Sequence, residues 1–122
     1  MTLPRDDLAA LLEELRTFVR ERDWEQFHDP KNLAMALASE AGELLAEYRW
    51  ISSDRSDSFA DDAVVRLRVQ REVADVAIAL LLFCDRTGID LPAAVREKLE
   101  VNSVNYPADR AKGQSSRPLR PQ

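Results

Sequence analysis

The sequence predicts an all-α fold, a four-helix bundle-type protomer, and three observations support this prediction. The chain of 122 residues contains only three glycines, while Ala, Leu, Glu and Arg, which favour helices, dominate its composition. Apolar residues recur at a period close to 3.6 in four successive segments. The hydrophobic fraction of 45% and the charged fraction of 32% are typical of a globular protein, and the length fits one domain.

The first two predicted helices flank the segment RDWEQFHDP. The first runs from about Asp6 to Asp23, with leucines along one face and acidic residues at its positive N-terminal end. The second runs from about Pro30 to Trp50, because proline is favoured in the first turn of a helix. Leu33, Leu37 and Leu44 lie along one stripe of this helix, which we expect to face the core.

The third and fourth predicted helices follow a polar loop, SSDRSDSFADD. The third covers about Asp61 to Arg86, and its second half, VADVAIALLLF, is so apolar that we expect it to be buried nearly all round. Gly88 is suited to end this helix. Asp90 is a suitable N-cap for a fourth helix, which has Pro92 in its first turn and runs to about Val104.

The periodicity divides the chain into one helical domain, residues 1–106, and a flexible, basic, proline-rich tail, residues 107–122. The net charge is −5, but residues 1–106 hold 13 basic and 21 acidic residues, a net charge of −8. This acidic domain argues against nucleic acid as the main partner, because phosphate contacts need Lys and Arg. It is compatible with a site that binds cations.

Three further features predict a cytoplasmic protein without a membrane partner. Cys84 is the only cysteine, so an internal disulfide is impossible and a reducing compartment is expected. The N-terminal sequence is rich in acids, unlike a signal or transit peptide. No apolar run approaches the roughly 20 residues that a membrane-spanning helix needs.

Two pairs of acidic residues interrupt the apolar stripes of the second and third helices. Glu40 and Glu43 form one pair, and Glu72 and Asp75 form the other. Side chains three residues apart share a helix face, so two facing pairs would bring four carboxylates together. Four negative charges at such distances need a counter-charge. A hard divalent cation that prefers oxygen ligands, Mg²⁺ or Mn²⁺, is the simplest one.

Two other interpretations compete with a metal site of this kind. The acids would also be explained as partly exposed residues paired with Arg49, Arg68 and Arg71. A di-iron carboxylate bundle would require Glu-x-x-His on two helices. His28 is the only histidine and lies in no such motif, which argues against the di-iron interpretation.

The two acid pairs and their surroundings resemble a known family. E-x-x-E followed by E-x-x-D resembles the motif of the all-α MazG-like nucleoside triphosphate pyrophosphohydrolases. The segments ERDWEQFHDPKNLAMALASEAGELLAEYRW, REVADVAIAL and DLPAAVREKLEVNSVNYP closely resemble the dCTP pyrophosphatases of this kind. Together the matching segments cover roughly residues 18–107.

The resemblance implies an enzyme that hydrolyses dCTP, or a modified dCTP, to dCMP and pyrophosphate and so cleanses the nucleotide pool. It implies that Mg²⁺ is held by the four motif acids. It also implies dimers or a tetramer, with sites near subunit interfaces. A carboxylate not fully engaged by metal would activate water, and Glu40 and Glu43 are the candidates, with Glu47 as a possible helper.

Two alternatives to dCTP hydrolysis stay open. The first is the same reaction on another nucleotide, such as dUTP or a noncanonical purine triphosphate. One departure from the family weakens the expectation of a strict preference for deoxycytidine, because some animal dCTP pyrophosphatases carry a Tyr where this chain has Ala79. The second is a non-catalytic, metal-binding helical interaction protein.

Further residues are candidates for substrate contacts. Lys98, Asn102 and Tyr106 are spaced by four and share one face of the last helix, where they offer a positive charge and hydrogen-bond donors to phosphates. Lys31 and Arg110 are additional phosphate-binding candidates. A flat base needs an aromatic slot, and the resemblance implies that the matching aromatic and histidine positions of this chain line it. The base-binding candidates are Trp24, Phe27, His28 and Trp50.

Overall fold

The structure is a computed structural model that describes residues 7–115, and the regular structure of these residues is entirely helical. The helices are α1 (Leu8–Glu21), α2 (Pro30–Tyr48), α3 (Ser53–Phe59), α4 (Ala63–Thr87), α5 (Leu91–Asn105) and α6 (Ala108–Ala111). A single turn of 3-10 helix, Glu25–Phe27, lies between α1 and α2. The predicted all-α fold class is therefore confirmed. Within residues 7–115, none of the helices combines the length and the apolar character needed to cross a membrane.

The helices belong to two units that divide between Gly88 and Ile89. The first unit contains α1 to α4, and the second contains α5 and α6. In the first unit, α2 and α4 make the most extensive contact between helices, and α1 packs against α4. The contact between α2 and α4 therefore brings together side chains from distant parts of the sequence.

Capping residues explain where the main helices begin and end. The Asp29 carboxylate accepts a hydrogen bond from the Asn32 amide at the start of α2, at 2.8 Å. Asp90 does the same for α5 through the Ala93 amide at 3.0 Å, as predicted. Gly88 ends α4 in the left-handed conformation, with φ +72°, which also confirms the sequence prediction.

The segment predicted as a polar loop contains a short helix, α3. Its formation is explained by Phe59, whose ring packs edge-to-face on the ring of Tyr48 with centroids 5.0 Å apart. Ser52 occupies the N-cap position and Asp54 lies in the first turn, so local signals for a helix are present as well. The prediction of a loop here was wrong because a contact with α2 orders the segment.

The segment predicted as a tail also contains regular structure, since α6 begins directly after Pro107. Residues 116–122, which include Arg117 and Arg120, lie outside the described residues, as do residues 1–6. Flexibility of the tail therefore stays a prediction.

The core of the protomer is small and centred on α4. Among residues 7–115, the buried apolar residues are Val19, Leu33, Ala79, Leu81 and Cys84. The second half of α4 is not buried all round in the single chain, because Val73 is 49% exposed and Ile78 is 40% exposed. The expectation of burial on nearly every side was therefore wrong for one protomer taken alone. An apolar side of α4 faces outward instead.

Candidate active site

Three of the motif acids converge where α2 and α4 pack together. Glu40 on α2 and Glu72 and Asp75 on α4 each offer a carboxylate oxygen, and these oxygens all lie within 4.8 Å of one another. Glu47 lies two turns after Glu40 on α2, and Arg68 lies one turn before Glu72 on α4. The Nε of Arg68 lies 3.3 Å from Oε2 of Glu47. Because residue numbers rise along α2 while those of their neighbours fall along α4, the two helices run antiparallel. We call the line of contact between α2 and α4 that contains these residues the acidic seam.

Helix periodicity explains which motif acids turn inward. Glu40 and Glu72 are half-buried, while Glu43 and Asp75 are exposed. Residues three apart differ by about 60° around a helix axis, so one member of each pair faces the neighbouring helix and the other lies towards its edge. The structure thus brings together three of the four predicted metal ligands. Glu43 is outside the converging group.

The electrostatics of the acidic seam favour a proton or a cation. Burial raises the pKa of Glu72 above its ordinary value, and the negative charges of Glu43, Asp75, Glu40 and Glu47 raise it further. The negative charges of these four acids therefore all act on Glu72. The converging donors are carboxylate oxygens only, and this donor set fits a hard divalent cation such as Mg²⁺ or Mn²⁺.

The structure does not show the ion pairs that were considered between the motif acids and nearby arginines. Arg68 donates a hydrogen bond to Glu47, the possible helper, and not to a motif acid. The ion pairs formed within residues 7–115 include none of the four motif acids. In the described part of the chain, Arg49, Arg68 and Arg71 therefore leave the motif carboxylates without a basic partner.

The four base-binding candidates lie at two ends of α2. Trp24, Phe27 and His28 precede this helix, and Trp50 follows it. The helix has 19 residues, and at about 1.5 Å per residue its ends are roughly 28 Å apart. Trp50 is 84% exposed, with the Arg49 guanidinium 5.3 Å from its ring centroid. A single protomer therefore does not bring Trp50 and His28 to the same base.

The first group of candidates surrounds the turn between α1 and α2. The Trp24 ring packs edge-to-face on Phe18 with centroids 5.7 Å apart, and the Phe27 side chain is exposed. His28 is half-buried and lines a cavity of about 260 Å³. His28 thus lines this cavity together with side chains of α1 and α4.

Arginines line the same cavity, and sequence reasoning did not identify them. Arg16, Arg20 and Arg86 contribute to its wall together with Asp85. The Nη2 of Arg16 lies 2.5 Å from Oδ1 of Asp85, and this hydrogen bond raises the pKa of Arg16. The spacing of Arg16 and Arg20 by four residues was a signal for a basic stripe on α1.

The phosphate-binding candidates are distributed over both units. Lys31 is exposed in the first turn of α2. In the second unit, Lys98 is exposed on α5, whereas Asn102 and Tyr106 are half-buried. Tyr106 ends α5, where its amide donates a 2.7 Å hydrogen bond to the carbonyl oxygen of Asn102. The predicted face of Lys98, Asn102 and Tyr106 therefore spans the last two turns of α5 and its end.

Comparisons with known proteins place this geometry in context. The chain is 40% identical over 106 residues to dCTP pyrophosphatase 1 of Rattus norvegicus, a match that covers 84% of this chain and 62% of that protein. It is 39% identical over 108 residues to dCTP pyrophosphatase 1 of Homo sapiens, covering 85% of this chain and 64% of that protein. The chain thus spans less than two thirds of the length of these curated relatives. No model of a protein family matches it.

A solved structure matches this chain over a larger share of its own length. The crystal structure of a pyrophosphatase from Archaeoglobus fulgidus matches with a TM-score of 0.78 and 36% sequence identity. The match covers 88% of this chain and 98% of that one. Identity at this level over nearly the whole of that chain, together with the all-helical fold, shows that the chain belongs to the all-α MazG-like pyrophosphatase family.

Proposed function

We propose that the protein hydrolyses dCTP, or a dCTP modified on its base, to dCMP and pyrophosphate with the help of Mg²⁺. The observation that carries this proposal is the convergence of Glu40, Glu72 and Asp75 within 4.8 Å on the acidic seam. Its substrate follows from the relatives, which are named dCTP pyrophosphatase 1. A role in removing unwanted nucleotides from the pool, and a cytoplasmic location, complete the proposal.

The mechanism assigns different tasks to the acids of the seam. Glu40, Glu72 and Asp75 would hold the divalent cation, which would neutralise the negative charge that develops on phosphate oxygens. Glu43 lies outside the converging group, yet its charge is felt by Glu72. Its carboxylate is therefore available to orient the attacking water and to accept its proton. Glu40 is the alternative base, and would then have to leave the cation.

We also propose that a second protomer completes the base pocket. Trp50 and His28 lie at opposite ends of α2 within one chain, so a pocket that contains both needs two chains. Large apolar side chains on the outside of the protomer support a homodimer or homotetramer, because such residues are usually covered at an interface. Phe27, Leu45, Trp50, Val64 and Ile78 are examples.

Phosphate binding is assigned to basic and hydrogen-bonding side chains outside the acidic seam. Lys98, Asn102 and Tyr106 on and at the end of α5 are the principal group, and Lys31 on α2 is a further member. Lys98 offers a positive charge, while the Asn102 amide and the Tyr106 hydroxyl can donate hydrogen bonds.

One observation supports broader base selectivity as a second candidate function. Ala79 is only 5% exposed, and its methyl group has no atom that can form a hydrogen bond with a base. Hydrolysis of another substrate, such as dUTP or a noncanonical purine triphosphate, is therefore included in the test. A non-catalytic metal-binding role is the alternative of another class.

The test is a pyrophosphate-release assay over a panel of nucleoside triphosphates. The panel contains dCTP, 5-methyl-dCTP, dUTP, dTTP, dATP, dGTP and dITP, each assayed with coupled inorganic pyrophosphatase, with and without Mg²⁺. We expect the highest kcat/KM for dCTP or its methylated form and no turnover without Mg²⁺. Absence of pyrophosphate from every nucleotide would overturn the enzyme in favour of the binding protein, and preference for dUTP or dITP would overturn the substrate alone.

A further inference from the structure

The guanidinium group of Arg68 lies on the acidic seam beside Glu47. Arg68 precedes Glu72 by one turn of α4, so the two side chains project from the same side of the helix. Its Nε donates a hydrogen bond of 3.3 Å to Oε2 of Glu47, which follows Glu43 by one turn of α2. Within residues 7–115, this is the ion pair that joins α2 to α4. Arg68 therefore lies next to the converging carboxylates without pairing with them.

The hydrogen-bonding capacity of Arg68 is mostly unused. The guanidinium carries five N–H donors in a planar fork, and Glu47 engages the one on Nε. In the described part of the chain, its Nη1 and Nη2 groups have no hydrogen-bond partner. The Arg68 side chain is 50% exposed, whereas that of Glu47 is 19% exposed. The acid thus anchors the arginine from the protein side and leaves its outer donors accessible.

We propose that Arg68 binds a phosphate oxygen of the nucleoside triphosphate through Nη1 and Nη2, and that Glu47 is the residue that positions it. This inference rests on the proposed function, because it requires a triphosphate at the acidic seam. Four residues of helix correspond to about 6 Å along the axis, so Arg68 and Glu72 can reach the same triphosphate. An arginine fork matches two phosphate oxygens, and the resulting charge-assisted hydrogen bonds are strong.

A purely structural role explains the pair less well. Ion pairs at a partly exposed position contribute little to folding, since water screens them and ordering two long side chains costs entropy. A guanidinium beside carboxylates that bind a cation would also oppose cation binding by charge repulsion. Its presence is explained if the ligand at the seam carries several negative charges, as a triphosphate does.

The experiment compares Arg68→Ala, Arg68→Lys and Glu47→Gln with the control Arg66→Ala. Arg66 is an exposed residue of α4 two positions earlier, so its side chain points to a different side of the helix while the same charge is removed. Three sets of measurements are made on each protein. They are KM and kcat for dCTP, the calorimetric Kd for the non-hydrolysable α,β-imido analogue of dCTP with Mg²⁺, and the Mn²⁺ affinity and melting temperature without nucleotide.

We expect Arg68→Ala to raise KM and the Kd of the analogue by roughly 10- to 100-fold, the range for loss of a charged hydrogen bond, with a smaller change in kcat. Mn²⁺ affinity should stay the same or increase, and the melting temperature should match that of Arg66→Ala. Arg68→Lys keeps the charge without the fork and should give a smaller rise. Glu47→Gln should raise Kd severalfold, and that effect should vanish when Arg68 is already Ala.

Two results would overturn the inference while the proposed function stands. One is a wild-type protein that hydrolyses dCTP beside an Arg68→Ala variant whose KM and Kd equal those of Arg66→Ala. The other is a loss of Mn²⁺ affinity and thermal stability in both Arg68→Ala and Arg68→Lys, which indicates a structural role. A wild-type protein that neither binds the analogue nor releases pyrophosphate overturns the proposed function and, with it, the role of Arg68.

Discussion

Glu40 on α2 and Glu72 on α4 present carboxylate oxygens within 4.8 Å of each other, although both side chains are half-buried. Asp75 joins them, and Glu43 and Glu47 add their negative charges to the field at Glu72. Such an arrangement opposes folding when no cation is present, because like charges repel more strongly where water is partly excluded. The same repulsion becomes an affinity for cations.

The first prediction concerns the stability of the metal-free protein. Burial and neighbouring acids raise the pKa of Glu72, so the folded protein binds this proton more tightly than the unfolded chain does. Ionisation of Glu72 therefore destabilises the fold as pH rises through the raised pKa, and stability returns as pH falls towards the ordinary glutamate value. We expect Glu72→Gln to raise the melting temperature in EDTA at neutral pH and to flatten its dependence on pH.

Differential scanning calorimetry in EDTA from about pH 4, near the ordinary glutamate pKa, to about pH 8 checks this expectation. Glu14→Gln serves as the control, since Glu14 is an exposed acid of α1 away from the seam. A Glu72→Gln profile parallel to that of Glu14→Gln would show that the carboxylates do not repel one another in solution.

The second prediction tests the cation ligands. Glu40→Gln and Asp75→Asn each replace a carboxylate of the converging group by a neutral amide of the same shape. We expect each to weaken Mn²⁺ binding by at least about 10-fold, because even outer-shell changes at metal sites cost this much. Titration calorimetry with Mn²⁺ measures the effect, and Asp61→Asn, just before α4, is the control. Unchanged Mn²⁺ affinity in both variants would remove these residues from the site.

The third prediction separates the catalytic base from the ligands. If Glu43 orients and deprotonates water, Glu43→Gln should lower kcat by about 10²- to 10⁴-fold, the usual contribution of a general base, while Mn²⁺ affinity changes little. Steady-state pyrophosphate release and Mn²⁺ titration are compared on the same preparation. A parallel loss of Mn²⁺ affinity would make Glu43 a fourth ligand, and an unaffected kcat would assign the base to Glu40.

The acidic seam was predictable in part because it depends on local periodicity. Glu40 falls on the stripe of Leu33 and Leu44, and Glu72 falls on a stripe of valines. Each acid can therefore be recognised in the sequence as a charged residue on an otherwise apolar helix face. The pairing of Arg68 with Glu47 was not predictable in the same way. It depends on how far α4 is shifted along α2, and side-chain spacing within one helix contains no such information.

Other differences between sequence and structure have equally physical causes. α3 forms where the polar composition favoured a loop, because Phe59 meets Tyr48 on another helix. The separation of His28 from Trp50, in contrast, was already contained in the sequence. The prediction of a helix between them fixes a distance of roughly 28 Å, so a shared base pocket within one protomer was inconsistent with the predicted helix itself.

The fourth prediction concerns assembly. Ile78 is 40% exposed on the apolar outer side of α4, and covering that side by a second copy would bury it. We expect Ile78→Glu to reduce the molecular mass in solution, because a carboxylate buried without a partner costs several kcal/mol. Sedimentation velocity or light scattering after gel filtration gives the mass. The control Gln70→Glu adds the same charge to an exposed polar position of α4. Equal masses for both variants would exclude this side as an interface.

The fifth prediction compares two glycines at which substitution by alanine should have opposite effects on stability. Gly88 ends α4 with φ +72°, and a Cβ added there has no heavy atom within 4 Å. The cost of Gly88→Ala is therefore conformational, and we expect about 1 kcal/mol of lost stability. Gly42 lies inside α2, also with no heavy atom within 4 Å of an added Cβ. Because alanine favours a helix interior, Gly42→Ala should gain about 0.5–1 kcal/mol.

Urea unfolding of the metal-free protein measures both free energies and compares their signs directly. Each variant is the control for the other, since both add one methyl group where space is available, and only the backbone conformation differs. Equal effects of the two substitutions would contradict a left-handed Gly88 at the end of α4. Loss of stability in Gly42→Ala alone would indicate that another surface, such as a second protomer, packs closely on α2 beside Glu40 and Glu43.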